Sequence, residues 1–338
     1  MKKAIFLLMN DLHVSVNNIP EFKTNWKEAF DVCEEYGINR VVIGGDIFTA
    51  QASQTLPVLM AVQEMFTFGL VQGLYFDVAA GNHDKVDKND FKSYCHLYDS
   101  DNVNVIDDYD IFHSGQCILA VMSYFPENGS FKAHLDDLIE ELNELNEVPS
   151  TTLYIHEGVQ GALGNLVLDT ECPVDWFKDF KQVLCGHYHN RVKIKDTNIE
   201  YIGSSRQNNF GEDEQKGYTI LFDDGTTEFI QNEVNTRYRT IEMEYDDDIE
   251  AVDDPRYKTR LVLNCSSEQS KTIDKSKLIA LGYNKIELKI EKVKSVRVKE
   301  TDIEQRYDKN GIKKEYKNFC NTKEIEPDLG LKYLDKLN

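Results

Sequence analysis

Short apolar runs rich in β-formers recur through the first part of the chain: Ala4 to Met9, Arg40 to Gly44, Leu74 to Ala79, Cys117 to Ser123, Thr151 to His156 and Gln182 to Cys185. Their length and texture predict strands. Amphipathic stretches lie between several of them. The clearest sets Leu135, Leu138, Ile139, Leu142 and Leu145 on one stripe opposite Asp and Glu, the pattern of a solvated acidic helix packed on a sheet. This alternation predicts an α/β layered domain. Hairpin-like strands join it around Asn198 to Ile202, Tyr218 to Phe222 and Thr227 to Ile230, with Asp223-Asp224-Gly225 as a turn.

After Asn235 the texture changes. Alternating strands are expected at Tyr238 to Met243 and Thr259 to Leu263, a Lys-bearing helix from about Thr272 to Ala280, and a strand at Lys285 to Ile290. That reads as a small α+β unit. The final forty or so residues are strongly charged, with a turn at Asp308-Lys309-Asn310-Gly311 and a helical run near the C-terminus. The expected division is 1–235, 236–300 and a tail at 301–338.

The length of 338 residues and the 41% hydrophobic content are enough for one sizeable core and a smaller accessory unit. The formal charge of −21 is unevenly placed: residues 1–235 hold 16 basic and 38 acidic residues, and 236–338 hold 22 and 21. The change supports a boundary near 235. An acidic domain repels polyanions, which on composition alone argues against a nucleic-acid substrate. No run approaches a membrane span of roughly 18 apolar residues. Met-Lys-Lys leads straight into a strand-like run without a cleavage signature, so a soluble, cytoplasmic protein is expected. The seven cysteines, 33, 95, 117, 172, 185, 265 and 320, contain no Cys-x-x-Cys pair, and reduced thiols, mostly in the core, are expected.

Candidate chemistry sits just beyond predicted strands, where α/β sheets gather their sites. The strand ends read Asp11-Leu12-His13, Gly44-Gly45-Asp46, Gly81-Asn82-His83-Asp84, His156-Glu157 and Gly186-His187-Tyr188-His189. Carboxylate, amide oxygen and imidazole together suit borderline dications such as manganese, iron or zinc. An Asp can bridge two ions about 3.5 to 4 Å apart, close enough for both to clamp a phosphoryl group. Each motif alone is weak, and a strand-end turn or an ordinary loop would account for it. The ordered combination is specific. His96, His113 and His134 lie outside every motif and read as surface or packing residues.

In these five blocks the chain resembles the calcineurin-like metallophosphoesterases over about residues 1–230. The resemblance implies a layered αββα sandwich holding two divalent ions, manganese foremost, with zinc, iron or magnesium as alternatives. It implies one ion on Asp11, His13, Asp46 and His189 and the other on Asp46, Asn82, His156 and His187, with Asp46 bridging. It makes His83 a stabiliser of the transition state or general acid, and Asp84 an influence on its orientation.

The substrate is not set by those blocks. Tyr201-Ile-Gly-Ser204, Phe210-Gly-Glu212 and Lys216-Gly217-Tyr218 look like the corresponding stretch of SbcD-type DNA-repair and recombination nucleases, and the compact length is similar to the tailed-phage form. That resemblance implies a metal-dependent DNA nuclease, exonucleolytic on duplex ends and endonucleolytic on single strands. It further implies a capping domain, a C-terminal segment that docks on an SbcC-type ABC ATPase, a possible homodimer, no membrane partner, and a place in the bacterial cytoplasm or, for a phage protein, that of its host. The rival readings are a phosphodiesterase or phosphatase on other substrates, and a mainly structural subunit. Val14-Ser15 after His13 and Thr49 after Phe48 depart from many relatives without replacing a ligand. Lys85, Lys88, Arg191, Lys193, Lys195 and Arg206 read as ordinary surface charges. Lys275, Lys277, Lys285, Lys289, Lys292, Lys294, Arg297 and Lys299 are better placed to meet DNA.

Overall fold

A computed structural model describes residues 2–164, 168, 170–290, 309–323 and 325–335. The chain divides into two compact units, one made of Met1–Ile241, Ile249–Leu261 and Lys275–Ile286, the other of Glu242–Asp248, Val262–Asp274 and Glu287–Asn338. The first unit carries strands β1 (Ala4–Met9), β2 (Arg40–Gly44), β3 (Tyr75–Ala79), β4 (Val103–Ile106), β5 (Tyr109–Ser114), β6 (Cys117–Met122), β7 (Thr151–Ile155), β8 (Gln182–Cys185), β9 (Val192–Lys193), β10 (Ile199–Tyr201), β11 (Gly217–Phe222) and β12 (Thr227–Gln231). They form two six-stranded sheets, ordered β12-β11-β1-β2-β3-β4 and β5-β6-β7-β8-β10-β9. In the first, β1 to β4 are parallel and β11 returns antiparallel against β1. In the second, β6, β7, β8 and β10 are parallel.

The apolar runs read as strands because both faces of each sheet are covered. Leu7, Met9, Val41, Ile43 and Val78 pack with residues of α1 (Ile19–Tyr36) and α2 (Leu56–Val71), including Phe22, Trp26, Phe30, Val62 and Met65. The alternate residues Phe6, Leu8, Val42 and Ala79 pack across to Leu119, Val121, Tyr154 and Leu184 of the second sheet. Beyond that sheet, α3 (Phe131–Glu144) buries Leu135, Leu138 and Leu142 against Ala120, Met122, Leu153, Ile155 and Val183. Each such leucine contributes roughly 1.5–3 kcal/mol of apolar burial. The result is the expected α/β sandwich of helix, sheet, sheet and helix. Leu145 departs from the predicted stripe: the helix ends at Glu144, and Leu145 is exposed at its cap.

Three strands were not legible, β9 because it spans only two residues. β4 is short, and β5, Tyr-Asp-Ile-Phe-His-Ser, is a half-exposed edge strand with no clean alternation. His113 lies within β5, with its Nε2 3.0 Å from Glu147 Oε2.

A third sheet orders β13 (Arg237–Glu244), β14 (Tyr257–Cys265) and β15 (Lys285–Ile290). The predicted helix from Thr272 is shorter, α4 (Lys275–Ala280), after a separate 3-10 turn at Gln269–Lys271. Near the C-terminus are α5 (Lys309–Thr322) and α6 (Asp328–Asp335). Lys309, Asn310 and Gly311, expected in a turn, instead begin α5; the first four N–H groups of a helix have no intrahelical partner, so weak helix formers cost least there. Asp308, Lys292, Lys294, Arg297, Lys299 and Leu337 lie outside the described residues. All seven cysteines are free and buried. No helix among the described residues is long and apolar enough to cross a membrane.

Candidate metal centre

The parallel strands β1, β2 and β3 of one sheet and β7 and β8 of the other send their C-terminal loops to one place. Backbone bonds lock the loops together: the Asp11 amide donates to Gly45 O and the His13 amide to Asp46 O, each at 3.0 Å, and the Gly186 amide donates to Ile155 O at 2.9 Å. The packing leaves no room for side chains on two glycines. A Cβ on Gly45, whose φ is +100°, would lie 2.6 Å from His156 Nδ1, and one on Gly81 would collide with the Asp46 carboxylate. Asp11, His13, Asp46 and His187 all adopt positive φ, at 53°, 42°, 55° and 84°. Non-glycine residues seldom do so, and such strain concentrates at functional sites.

Five predicted ligands converge. His156 Nε2 lies 3.2 Å from Asp46 Oδ2 and 3.9 Å from Asp11 Oδ1. His13 Nε2 lies 3.5 Å from Asp46 Oδ2, 3.7 Å from Asp11 Oδ1 and 3.0 Å from His189 Nε2. His189 Nε2 is 3.6 Å from Asp11 Oδ1. Asp11, His13 and His189 form one group able to hold an ion and Asp11, Asp46 and His156 another, each with its donor atoms within 4.8 Å of one another. Asp11 therefore belongs to both groups, while Asp46 reaches His13 and His156 alike. The other ring nitrogen of His156 meets Gly44 O at 2.8 Å, which holds a proton on Nδ1 and turns Nε2 toward the two carboxylates. Asp11 Oδ1 and His156 Nε2 are buried without any hydrogen-bond partner. Buried polar atoms are rarely left unpaired. Two of them, surrounded by carboxylate and imidazole donors, fit a divalent cation.

Asn82 and His187 lie beside this core and touch each other, with Asn82 Oδ1 3.0 Å from His187 Nδ1; the His187 ring sits 5.5 Å from that of His156. They line, with His13, Asp46, His83 and His189, a cavity of ≈ 340 Å³. His83 presents its ring edge-on to His13 at 5.1 Å. Its Nδ1 meets the main-chain O of Thr49 at 2.7 Å, which orients the ring. Asp84 is wholly buried and accepts from the amides of Phe48 at 3.0 Å and Gly81 at 2.8 Å, joining two of the metal loops.

No family model matches the chain, and no curated protein matches it. Among solved structures, nuclease MPE of Pseudomonas putida aligns over 65% of this chain and 84% of its own at 12% identity and a TM-score of 0.32. The protein of unknown function AQ665 from Aquifex aeolicus aligns over 52% and 92% at 16% identity and a TM-score of 0.28. Likenesses at these scores bear on neither mechanism nor substrate.

The charges at the centre are strongly coupled. Burial alone would lower the basicity of His156, but Asp46 and Asp11 push its pKa up to about 10. Against the same burial, the histidines hold Asp46 down at about 2 and Asp11 well below the usual carboxylate range. His187 is lowered to about 4 by burial and by His156. Burial and Asp46 raise Asp84 to about 7 despite its two amide donors.

Several residues were misjudged or missed in the sequence. Lys85 and Arg206, read as surface charges, are buried: Lys85 Nζ donates to Tyr124 O at 2.7 Å, 4.0 Å from the centre of the Phe125 ring, and Arg206 donates to Leu12 O at 2.8 Å. Arg191, also read as an ordinary surface charge, is 15% exposed at its side chain and pairs with Glu200 at 2.6 Å. Asn10 is buried beside Asp11, donates to its Oδ2 and accepts from Tyr154 OH at 2.8 Å. Glu212 accepts from His189. Its place in the Phe210-Gly-Glu212 block was the available signal; the pairing with His189 spans 23 residues and had none.

Proposed function

We propose that the chain is a two-metal phosphoesterase, with one ion on Asp11, His13, Asp46 and His189 and the other on Asp46, Asn82, His156 and His187. The observation that carries this reading is the pair of buried, unpartnered donor atoms, Asp11 Oδ1 and His156 Nε2, at the convergence of five strand-end loops. When bound, the ions would neutralise charge on a phosphoryl group and make a nucleophile available at neutral pH. The chain's own residues would do the rest. With Nδ1 held by Thr49 O, His83 would keep its orientation and present Nε2 as the nitrogen that assists the departing oxygen. Asp84 would hold the loops bearing Asp46 and Asn82 in register through their amides.

For the substrate we favour DNA in the manner of an SbcD-type nuclease, with manganese as the working ion, an SbcC-type ATPase docked on residues 301–338, and possible self-association. The support is the Tyr201 to Tyr218 stretch, which also forms the back of the site: Tyr201 OH bridges Glu157 O and the Val159 amide, and Lys216 Nζ donates to His189 O. The acidic charge of residues 1–235 and the burial of Lys85 and Arg206 favour a second reading, a phosphodiesterase on smaller substrates. The deciding experiment incubates pure protein and manganese with end-labelled duplex and single-stranded DNA, a generic phosphodiester and a phosphomonoester. Cleavage of DNA with weak monoesterase activity supports the nuclease. Diester hydrolysis with intact DNA supports the second reading, and no manganese-dependent hydrolysis of any substrate refutes both. Deleting 301–338 should abolish co-purification with the cognate ATPase while sparing cleavage of a short single strand.

A further inference from the structure

The segment from Gln207 to Lys216 grips His189 at both ends. On the ring side, Glu212 Oε1 lies 2.7 Å from His189 Nδ1; on the main-chain side, Lys216 Nζ donates to His189 O at 2.6 Å and to Asn190 Oδ1 at 2.9 Å. Both charged groups are buried, with side-chain exposures of 6% for Glu212 and 4% for Lys216. The carboxylate is itself fixed, accepting from Asn209 Nδ2 at 2.6 Å and from the Asn208 amide at 3.0 Å, with Lys216 Nζ 3.6 Å away. Burying a carboxylate and an ammonium is costly unless the geometry is good, so a structural role alone is a poor reason to place them here.

The two histidines at the heart of the centre are held differently. His156 rests its Nδ1 on a neutral carbonyl, Gly44 O, whereas His189 rests its own on a charged carboxylate. We propose that Glu212 is a positioning residue for the ion that His189 would hold, an assignment that rests on the metal reading above. Its carboxylate keeps the His189 proton on Nδ1, so the Nε2 lone pair faces His13 Nε2 at 3.0 Å and Asp11 Oδ1 at 3.6 Å. It also enriches the ring as a donor, an effect the Gly44 carbonyl cannot match at the other site. Such carboxylate-to-histidine contacts are typically worth 10- to 100-fold in metal affinity.

The test is manganese binding to the full chain by calorimetry and metal analysis, without any substrate. Glu212→Ala should weaken one of the two sites by about 10- to 100-fold and leave the other within about two-fold. Glu212→Gln, whose amide oxygen still accepts from Nδ1 but carries no charge, should recover part of the loss at that site. Glu212→Ala that binds both ions as wild type does, or that weakens both equally, overturns the proposal. If the alanine variant does not fold, the glutamine variant decides: a selective weakening of one site supports the role, and wild-type affinity at both overturns it. Wild-type protein that takes up no manganese removes the metal reading and this assignment together, whereas two well-filled sites indifferent to Glu212 remove this assignment only.

Discussion

Metal uptake by this centre should expel protons, and His156 determines how many and at what cost. The ring is wholly buried, its Nδ1–H is held by Gly44 O, and Asp46 and Asp11 raise its pKa to about 10 in the metal-free protein. At about pH 7.5 Nε2 then carries a proton in all but roughly one molecule in 300. A metal needs that lone pair, so binding must displace the proton. The competition costs about 3 kcal/mol of apparent affinity at that pH, and apparent affinity should rise roughly tenfold per pH unit until the pH approaches the pKa. Asp11 and Asp46 are already ionised and His187, lowered to about 4, is already neutral, so none of them contributes a proton. His13 is raised by the same carboxylates against the effect of its burial. The expected outcome is at least one proton released per chain on manganese loading, measured by calorimetry in two buffers of different ionisation enthalpy. His156→Ala should remove that proton together with one ion. Loading without proton release, or an affinity flat between about pH 6 and pH 9, would refute the coupling between His156 and the two aspartates.

Three further outcomes are expected. His83→Ala should keep both ions by metal analysis yet lower kcat by about 10²- to 10⁴-fold, since its ring touches no carboxylate of the centre; loss of an ion would reassign it as a ligand. Gly81→Ala drives a Cβ into the Asp46 carboxylate and amide and should cost about 1–3 kcal/mol in urea denaturation together with metal binding; wild-type stability and stoichiometry would contradict the close approach. Lys85, buried with its pKa lowered to about 8, penalises folding below that pH, and the penalty fades as pH climbs toward the unfolded value of 10.5. The stability of wild type relative to Lys85→Met should therefore improve by roughly 3 kcal/mol across that window, and a pH-independent difference would show that Lys85 is solvated.

Where a segment's fate depends on its own residues, the sequence was sufficient. β1, β2, β8 and β15 fall on the residues expected, the first three because an apolar run of strand length buried on both faces has few alternatives, and β15 through its alternation of charged and apolar residues. The loop residues after β1, β2, β3, β7 and β8 were legible too, since Asp, His and Asn directly beyond such runs have few structural uses in that order. Long-range pairing was not legible. Nothing local marks Lys85 and Arg206 as interior cations, or the Thr49 main-chain carbonyl as the group that holds His83, because each is settled by a neighbour tens to hundreds of residues away. Likewise the sequence could name seven candidate ligands, but only the packing of two sheets against each other brings Asp11 Oδ1 and His156 Nε2 together without partners, and sets Glu212 on His189. Composition and periodicity report how a residue is buried; which atoms it meets there depends on how the strand ends are brought together in space.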